Sequence, residues 1–111
     1  MSKVLYLFNS KGEWIAFRIG NMLYNKNANW IGWFPWKNNI AVTTEGEYLG
    51  TIYRDRILLY DLNQPYLGYP GYPGYPGYPG YPGYPGYIGY VGLLAGTKDV
   101  PKDFLKEDEN E

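Results

Sequence analysis

The chain has 111 residues, with 10 Lys and Arg against 11 Asp and Glu and neither Cys nor His. That length holds one domain and an appendage, and the missing residue types exclude disulfides, thiolate chemistry, His-based triads and the usual zinc sites. Charges nearly balance over residues 1–64 and are acidic over 98–111, which leaves no basic footprint for nucleic acid.

The start of the chain carries one short apolar run, Val4–Phe8, before polar residues return. Such a run is too short for the core of a signal peptide. Nothing elsewhere reaches the ~18 apolar residues of a membrane span. We therefore expect a cytoplasmic protein without a transmembrane segment.

A four-part repeat organises the first two thirds of the chain. An aromatic, a branched aliphatic and a small residue recur in that order at Trp14–Ala16, Trp30–Gly32, Tyr48–Gly50 and Tyr66–Gly68. Each motif follows an apolar triplet across a gap of five residues, and the triplets end at Phe8, Tyr24, Val42 and Tyr60. Five polar, Asn- and Gly-rich residues between two β-prone runs are typical of hairpin loops. The repeat predicts an all-β domain of four hairpins and eight short strands, ending near Tyr69.

Strand alternation places the aromatic and the small residue of each motif on one face and the aliphatic on the other. Glycine inside a strand weakens it unless something approaches closely. The small positions therefore predict a crowded pseudo-four-fold axis, where they would meet: Ala16, Gly32, Gly50 and Gly68. The alternative is an ordinary eight-stranded sandwich in which these residues permit strand bends.

These residues resemble the four-fold β-flower family of small bacterial domains. The similarity covers Val4–Tyr69 and is carried by "YLFNSKGEWIAF" and "WIGWF", with "VPKDFLKE" at Val100–Glu107 as the counterpart of a short terminal apolar motif. The resemblance implies hairpins arranged like petals into a shallow, symmetric barrel, and no catalytic residues. The second and fourth loops depart from the family pattern, with Ala28 and Gln64 where it has Gly.

The following segment is a low-complexity tail in which Gly recurs every third residue from Gly68 to Gly92, mostly as Tyr-Pro-Gly. We divide the chain into a domain at 1–69, a disordered or polyproline-II linker at 70–97, and an acidic segment with a short apolar motif at 98–111. A collagen-like triple helix is the alternative that the period allows. The tyrosines either offer weak contacts to aromatic or Pro-rich surfaces or belong to a plain spacer.

The second hairpin has an aromatic surplus. Trp33, Phe34 and Trp36 exceed what the other repeats hold at the same places, and Trp30 stands beside them. Such a cluster beside Pro35 and a lysine favours an exposed patch for a partner, an acyl chain or a membrane interface. The alternative is that a small β domain uses these rings for its core.

The five carboxylates of residues 1–64 all fall in or next to predicted turns: Glu13, Glu45, Glu47, Asp55 and Asp61. We therefore expect no enzyme, no cofactor and no metal site. The composition favours a binding module with a rigid aromatic β head and a flexible Tyr/Pro/Gly tether, whose partner is a protein. The alternative function is binding of a hydrophobic ligand, a lipid or a membrane surface.

Overall fold

The computed structural model describes residues 3–106. It contains eight strands and one short helix, in the order β1 (Val4–Phe8), β2 (Trp14–Ile19), β3 (Met22–Asn25), β4 (Trp30–Trp33), β5 (Ile40–Thr43), β6 (Tyr48–Tyr53), β7 (Ile57–Asp61), β8 (Thr97–Asp99) and α1 (Lys102–Leu105). The last residues of the acidic segment, 107–111, lie outside the described part. Within that part, no helix is long and apolar enough to cross a membrane.

The strands form a closed all-β barrel of seven strands with one extra strand. Neighbours from β1 to β7 pair in chain order, and β1 closes the ring by a parallel contact between Phe8 and Ile57. β8 pairs antiparallel with β7 alone, outside this closure. The prediction of an all-β fold is confirmed, but the expectation that eight strands make the barrel is wrong.

The first three hairpins share one irregularity. Their registers shift at the same place, where the first strand pairs with the small residue and then skips to the aromatic: Leu7 with Ala16 then Phe8 with Trp14, Leu23 with Gly32 then Tyr24 with Trp30, and Ala41 with Gly50 then Val42 with Tyr48. The skipped residue is the aliphatic, which is the extra residue of a β-bulge. Simple alternation therefore fails: Ile15 and Ala16 both join the inner core, and Trp14 joins the outer one.

Two cores follow from this arrangement. The inner one fills the barrel, and its members include the skipped aliphatics Ile15, Ile31 and Leu49. The outer one lies on the opposite face of the sheet and combines Trp14, Phe17 and Tyr24 with residues from the far end of the tail. A sheet this small can bury both faces only because the tail covers the second.

The fourth hairpin is completed by a different segment from the one that we predicted. Residues 62–96, all of them described, contain no strand, so the expectation that Tyr66–Gly68 is the last strand is wrong. β8 takes that place, with Tyr60 opposite Lys98 and Asp61 opposite Thr97. The sheet thus continues beyond the predicted boundary at Tyr69, and 35 residues separate two strands that are neighbours in space.

Turn chemistry explains the difference. In the first three turns a left-handed residue stands fourth, at Gly12 (φ 82°), Ala28 (φ 66°) and Gly46 (φ 92°). The backbone N–H of the next residue donates to the side chain that opens the turn, as Glu13 does to Asn9 Oδ1 and Glu47 to Thr43 Oγ1. In the fourth turn these positions are Gln64 and Pro65. Proline has no N–H and biases its predecessor towards extended conformations, so this turn cannot close in the same way.

The segment after the tail docks on the barrel. Ser10 donates from its backbone N and its Oγ to the two carboxylate oxygens of Asp99, at 2.8 and 2.7 Å. Asn25 Nδ2 donates to the carbonyl of Leu105 at 2.8 Å. Val100 and Leu105 are buried in the inner core. The terminal apolar motif is therefore part of the fold.

Among the described residues, none of the nearest atoms that a Cβ on Gly32, Gly50 or Gly68 would meet belongs to another small position of the repeat. A Cβ on Gly32 would lie 2.2 Å from the carbonyl oxygen of Val42, on the neighbouring strand, and one on Gly50 would lie 3.1 Å from the carbonyl oxygen of Leu59. At Gly68, outside the sheet, nothing would lie within 4 Å. The crowding at Gly32 and Gly50 comes from the next strand of the sheet, together with core side chains.

Candidate binding surface

The tail wraps around the barrel instead of leading away from it. It starts beside the third hairpin, where Pro70 faces Gly46, and it then passes the second and the first hairpins. Near its end, the backbone N–H groups of Val91 and Gly92 donate to the carbonyl of Ser10 at 2.9 and 2.8 Å. We call residues Pro65–Gly92 the tract. It runs around the outer face in the order opposite to that of the hairpins.

The backbone of the tract requires its glycines. Every one from Gly68 to Gly92 has a positive φ, between 83° at Gly71 and 101° at Gly68. Residues with a Cβ rarely adopt this region, whereas glycine enters it without steric cost. At one of these glycines the tract also touches the barrel closely, since a Cβ on Gly12 would lie 2.0 Å from the carbonyl oxygen of Gly89.

Pairs of tract tyrosines hold the tryptophans that open the first two repeat motifs. The ring of Trp14 has Tyr81 and Tyr84 at 5.9 Å each, measured between centroids. The ring of Trp30 has Tyr72 and Tyr75 at 5.8 and 5.7 Å. Aromatic pairs at this separation contribute about 0.5–1.5 kcal/mol beyond burial. We call each such pair a tyrosine clamp, and the two clamps are nine residues apart in the tract.

The outer side of the tract is a row of exposed tyrosines. They recur every third residue and are 57 to 84% exposed: Tyr66, Tyr69, Tyr72, Tyr75, Tyr78, Tyr81, Tyr84, Tyr87 and Tyr90. The four clamping tyrosines remain 57 to 67% exposed, so most of each side chain still faces solvent. The largest exposed apolar surface of the described residues is therefore on the tail and not on the head.

The structure separates the four aromatic residues that we predicted to form one site. Trp30 lies under a clamp, and Phe34 is fully buried in the inner core. Trp33 is half-buried at the end of β4, and its indole N–H, like that of Trp30, has no partner among the described residues. Trp36 is half-buried beyond the strand and lines a separate pocket. The four side chains therefore do not make one surface.

The charged side chain of Arg18 lies over the ring of Phe34. The guanidinium carbon of Arg18 stands 3.8 Å from the centroid of the Phe34 ring, and its nitrogens donate to the carbonyls of Gly20 and Asn38. Partial burial lowers the pKa of Arg18 from its ordinary value. A guanidinium keeps its charge in proteins, so the interaction is a cation–π contact that holds the second hairpin against β2.

Three cavities border the tract. One of about 210 Å³ lies between its end and Tyr53, Arg54, Ile57 and Leu59. The other two lie beside its middle and its start. The larger, about 940 Å³, opens between the first two turns, the C-terminal segment and the tract, and it is bordered by Lys11, Lys26, Lys102, Tyr84 and Tyr87 among others. Its wall is mixed in charge, because Glu13 and Asp99 also line it. The smaller, about 210 Å³, lies between the third hairpin and the start of the tract. No group of acidic residues able to hold a metal ion occurs among residues 3–106.

The smaller cavity has an apolar wall. Trp36, Ile40, Val42 and Tyr48 form the barrel side, and residues 65–68 form the tract side. The ring of Tyr48 packs on that of Tyr60, with 4.9 Å between the centroids. The hydroxyl of Tyr48 lies 2.6 Å from Thr51 Oγ1. The same hydroxyl accepts a hydrogen bond from the backbone N–H of Asp61 at 3.0 Å. Burial is the main cause that raises the pKa of this phenol. Unlike Trp14 and Trp30, this aromatic has no clamp.

Comparison with known proteins returns no family model, curated protein or solved structure that matches the chain.

The sequence analysis does not predict the clamps, because a flexible linker has no fixed register to the barrel. One signal was available. The tract has the same residue types at a constant spacing, and the repeat motifs begin with large aromatic residues that a two-faced sheet would leave uncovered on its outer side. The predicted strand at Tyr66–Gly68 obscures this signal, because it places the start of the tract inside the sheet.

Proposed function

We propose that this chain is a non-enzymatic interaction module whose binding surface is the outward row of tract tyrosines. The observation that carries the proposal is the exposure of nine tyrosines, each 57% or more, on a backbone that takes a positive φ at every third residue. Tyrosine offers a large contact area at a low entropic cost, which is why binding surfaces are rich in it. Its partner would be a protein that presents proline or aromatic side chains.

A fixed tract favours binding more than a free tether would. A free chain loses conformational entropy when it binds, and each ordered side chain costs roughly 0.5–1.5 kcal/mol. The clamps, together with the backbone contacts at Ser10 and Gly12, already hold the tract on the barrel. In this proposal the barrel is the support, and the tyrosines face the partner on a rigid element.

A four-petal plan accounts for how the support is built. The shared bulge in the first three hairpins and the shared start of all four turns support four equivalent units, with β8 as the second strand of the fourth. This plan agrees with the resemblance to the β-flower family. We propose the pseudo-four-fold arrangement on these grounds.

The alternative function, binding of a hydrophobic ligand or lipid, has one observation in its favour. The pocket beside Trp36 is apolar, but at about 210 Å³ it is smaller than the ~300–1,000 Å³ of most ligand sites. The barrel interior is occupied by the inner core. An acyl chain would therefore have to lie in the larger cavity of about 940 Å³, whose wall is mixed in charge, or on the outside of the protein.

The experiment is a binding assay against an array of immobilised peptides that differ in proline, aromatic and charge content. The test variant replaces Tyr69, Tyr78 and Tyr90 with Ser, since these rings are 80, 67 and 77% exposed and clamp neither tryptophan. We expect the natural chain to bind Pro- or aromatic-rich peptides and the variant to lose this binding without a change in thermal unfolding. Equal binding by both chains would overturn the proposal, and co-sedimentation with phosphatidylcholine–phosphatidylglycerol vesicles instead would support the alternative.

A further inference from the structure

The register of the tract marks one place where a clamp is missing. The clamps on Trp30 and Trp14 use tyrosines nine residues apart, Tyr72 with Tyr81 and Tyr75 with Tyr84. Nine residues before the first clamp are Asn63 and Tyr66. The third hairpin, which comes next along the path of the tract, thus meets one tyrosine where the others meet two.

The barrel side is also incomplete at this place. The aromatic that opens the third motif is Tyr48, whose ring packs on Tyr60 and, among the described residues, on no tyrosine of the tract. Tyr66 is 84% exposed and does not fill the space that is left. What remains is the pocket of about 210 Å³ beside Trp36.

We propose that this pocket receives one tyrosine side chain from the Tyr-Pro-Gly tract of a second copy of this chain. The inference rests on the proposed function and names a partner for the tyrosine row. Volume is the first reason, since a cavity of about 210 Å³ is below the usual size for a ligand and suits one side chain. The indole of Trp36 in its wall offers a tyrosine ring the kind of contact that each clamp makes.

Charge is the second reason. The pocket is lined without a charged side chain, and residues 65–97 of the donor tract carry none either. Seating a tyrosine of the tract therefore desolvates no charge. The tract offers several rings that hold no tryptophan, among them Tyr78, which lies between the two clamps and is 67% exposed.

The geometry of such a contact predicts its assembly. The pocket and the donated tyrosine are different surfaces of the same chain, so two copies can either exchange tyrosines across a two-fold axis or donate them head to tail. The first arrangement gives a closed dimer, and the second gives open chains or closed rings. A single side chain in a small pocket binds weakly, and we expect a dissociation constant on the order of 1 mM for an isolated peptide.

The first experiment uses a defined probe, acetyl-Gly-Tyr-Pro-Gly-Tyr-Pro-Gly-amide, titrated into the full chain. Proton NMR follows the four indole N–H resonances. We expect the Trp36 signal to shift with saturation, and those of Trp14 and Trp30 to stay in place because their clamps remain. The same peptide with Ser for Tyr is the matched probe and should shift nothing.

Trp36→Ala should abolish the peptide-dependent shifts of the other pocket residues, such as the methyl groups of Ile40 and Val42, whereas Trp36→Phe should keep them. Trp36→Phe also covers the case in which the Ala variant fails to fold. Shifts at Trp14 or Trp30 would mean that the peptide displaces a clamp, and this result, like an unmoved Trp36, would overturn the inference.

The second experiment is sedimentation velocity of the full chain between micromolar and millimolar concentration. We expect the weight-average sedimentation coefficient to rise with concentration, and Trp36→Ala to remove the rise. A coefficient independent of concentration would contradict self-association. A natural chain that binds the peptide array but does not self-associate would refute the pocket while the proposed function stands, because array binding rests on the outward tyrosines and not on Trp36.

Discussion

The third and fourth turns begin alike and end differently. In both, the fourth residue donates its backbone N–H to the carbonyl of the first, from Gly46 to Thr43 and from Gln64 to Asp61. In both, the side chain of the first residue accepts the N–H of the third. Only the third turn then closes, through bonds to Glu47, because the fourth has Pro65 at that position.

The unclosed turn has a replacement for its missing acceptor. In the first three turns the first residue donates its backbone N–H to the carbonyl four residues on, as Thr43 does to Glu47 at 2.7 Å. At the fourth turn, Asp61 donates instead to the hydroxyl of Tyr48 at 3.0 Å. Two adjacent residues, Gln64 and Pro65, therefore redirect the chain into the tract, and the strand that completes the hairpin has to come from 35 residues further on.

The largest effect should come from removing that late strand. A chain that ends after Tyr69 has no β8, and it loses the buried side chains of Val100 and Leu105. Each is worth about 1.5–3 kcal/mol, so these two side chains alone account for about 3–6 kcal/mol, which reaches the lower part of the range for the whole stability of a small domain, roughly 5–15 kcal/mol. We expect this chain to show no cooperative transition in urea. Unfolding as cooperative and as late as that of the full chain would return the boundary to Tyr69.

The next effect separates the small positions within the regular hairpins. Gly32→Ala should destabilise the protein by ~2 kcal/mol or more, because its Cβ would meet the Val42 carbonyl at 2.2 Å and the backbone would have to move. Gly50→Ala should cost less, since its closest contacts are 3.1 Å and one of them is a side chain. Urea unfolding measures both. An equal cost would show that the two glycines face the same kind of neighbour.

A smaller effect should follow from restoring the fourth turn. Gln64→Gly with Pro65→Glu supplies the left-handed residue and the N–H that the first three turns use. Tyr66–Gly68 could then pair with β7 in competition with β8, and we expect a second set of amide signals for Leu59, Tyr60 and Asp61. Each single variant is the control and should show one set. A single set in the double variant would mean that proline is not what redirects the chain.

The smallest effect concerns the replacement acceptor. Tyr48→Phe leaves the N–H of Asp61 without its partner and should cost about 1 kcal/mol. Burial raises the pKa of Tyr48 in the folded protein, so its contribution is complete below the unfolded pKa of about 10 and is lost as the pH rises further. Urea unfolding between pH 8 and pH 11 should therefore be less pH-dependent in the Phe variant. An equal pH dependence of stability in both chains would show that ionisation of Tyr48 does not affect unfolding.

The sequence predicts the regular part of the fold because each regular element is encoded locally. The first three hairpins could be located from their triplets and motifs, and the end of β4 at Trp33 was indicated by Pro35. The segment that supplies the last strand of the fourth hairpin could not be located from the sequence, since Tyr66–Gly68 fits the repeat better than Thr97–Asp99 does. Pairing over a long separation depends on which turn can close. Pro65 is evident in the sequence, but its effect on the fourth turn can be recognised only from the N–H hydrogen bonds that close the other turns.

The candidate site was less predictable for a related reason. Surplus aromatic residues in the second hairpin indicated a surface, but their burial depends on what covers the sheet. The inner core takes Phe34, and the tract covers Trp30. A tract without apolar periodicity gives no sign that it will pack, until its glycine spacing is matched to the path around the barrel.

Disulfide trapping can show which segment pairs with β7, since the chain has no cysteine of its own. Tyr60 and Lys98 are cross-strand partners. We expect a chain with Tyr60→Cys and Lys98→Cys to form an intramolecular disulfide quickly under mild oxidation and to become more resistant to urea. Tyr60→Cys with Tyr66→Cys places the cysteines where the repeat alone would pair them and should stay reduced under the same conditions. If the second pair closed fast and the first pair did not close, Tyr66–Gly68 and not β8 would be the strand that pairs with β7.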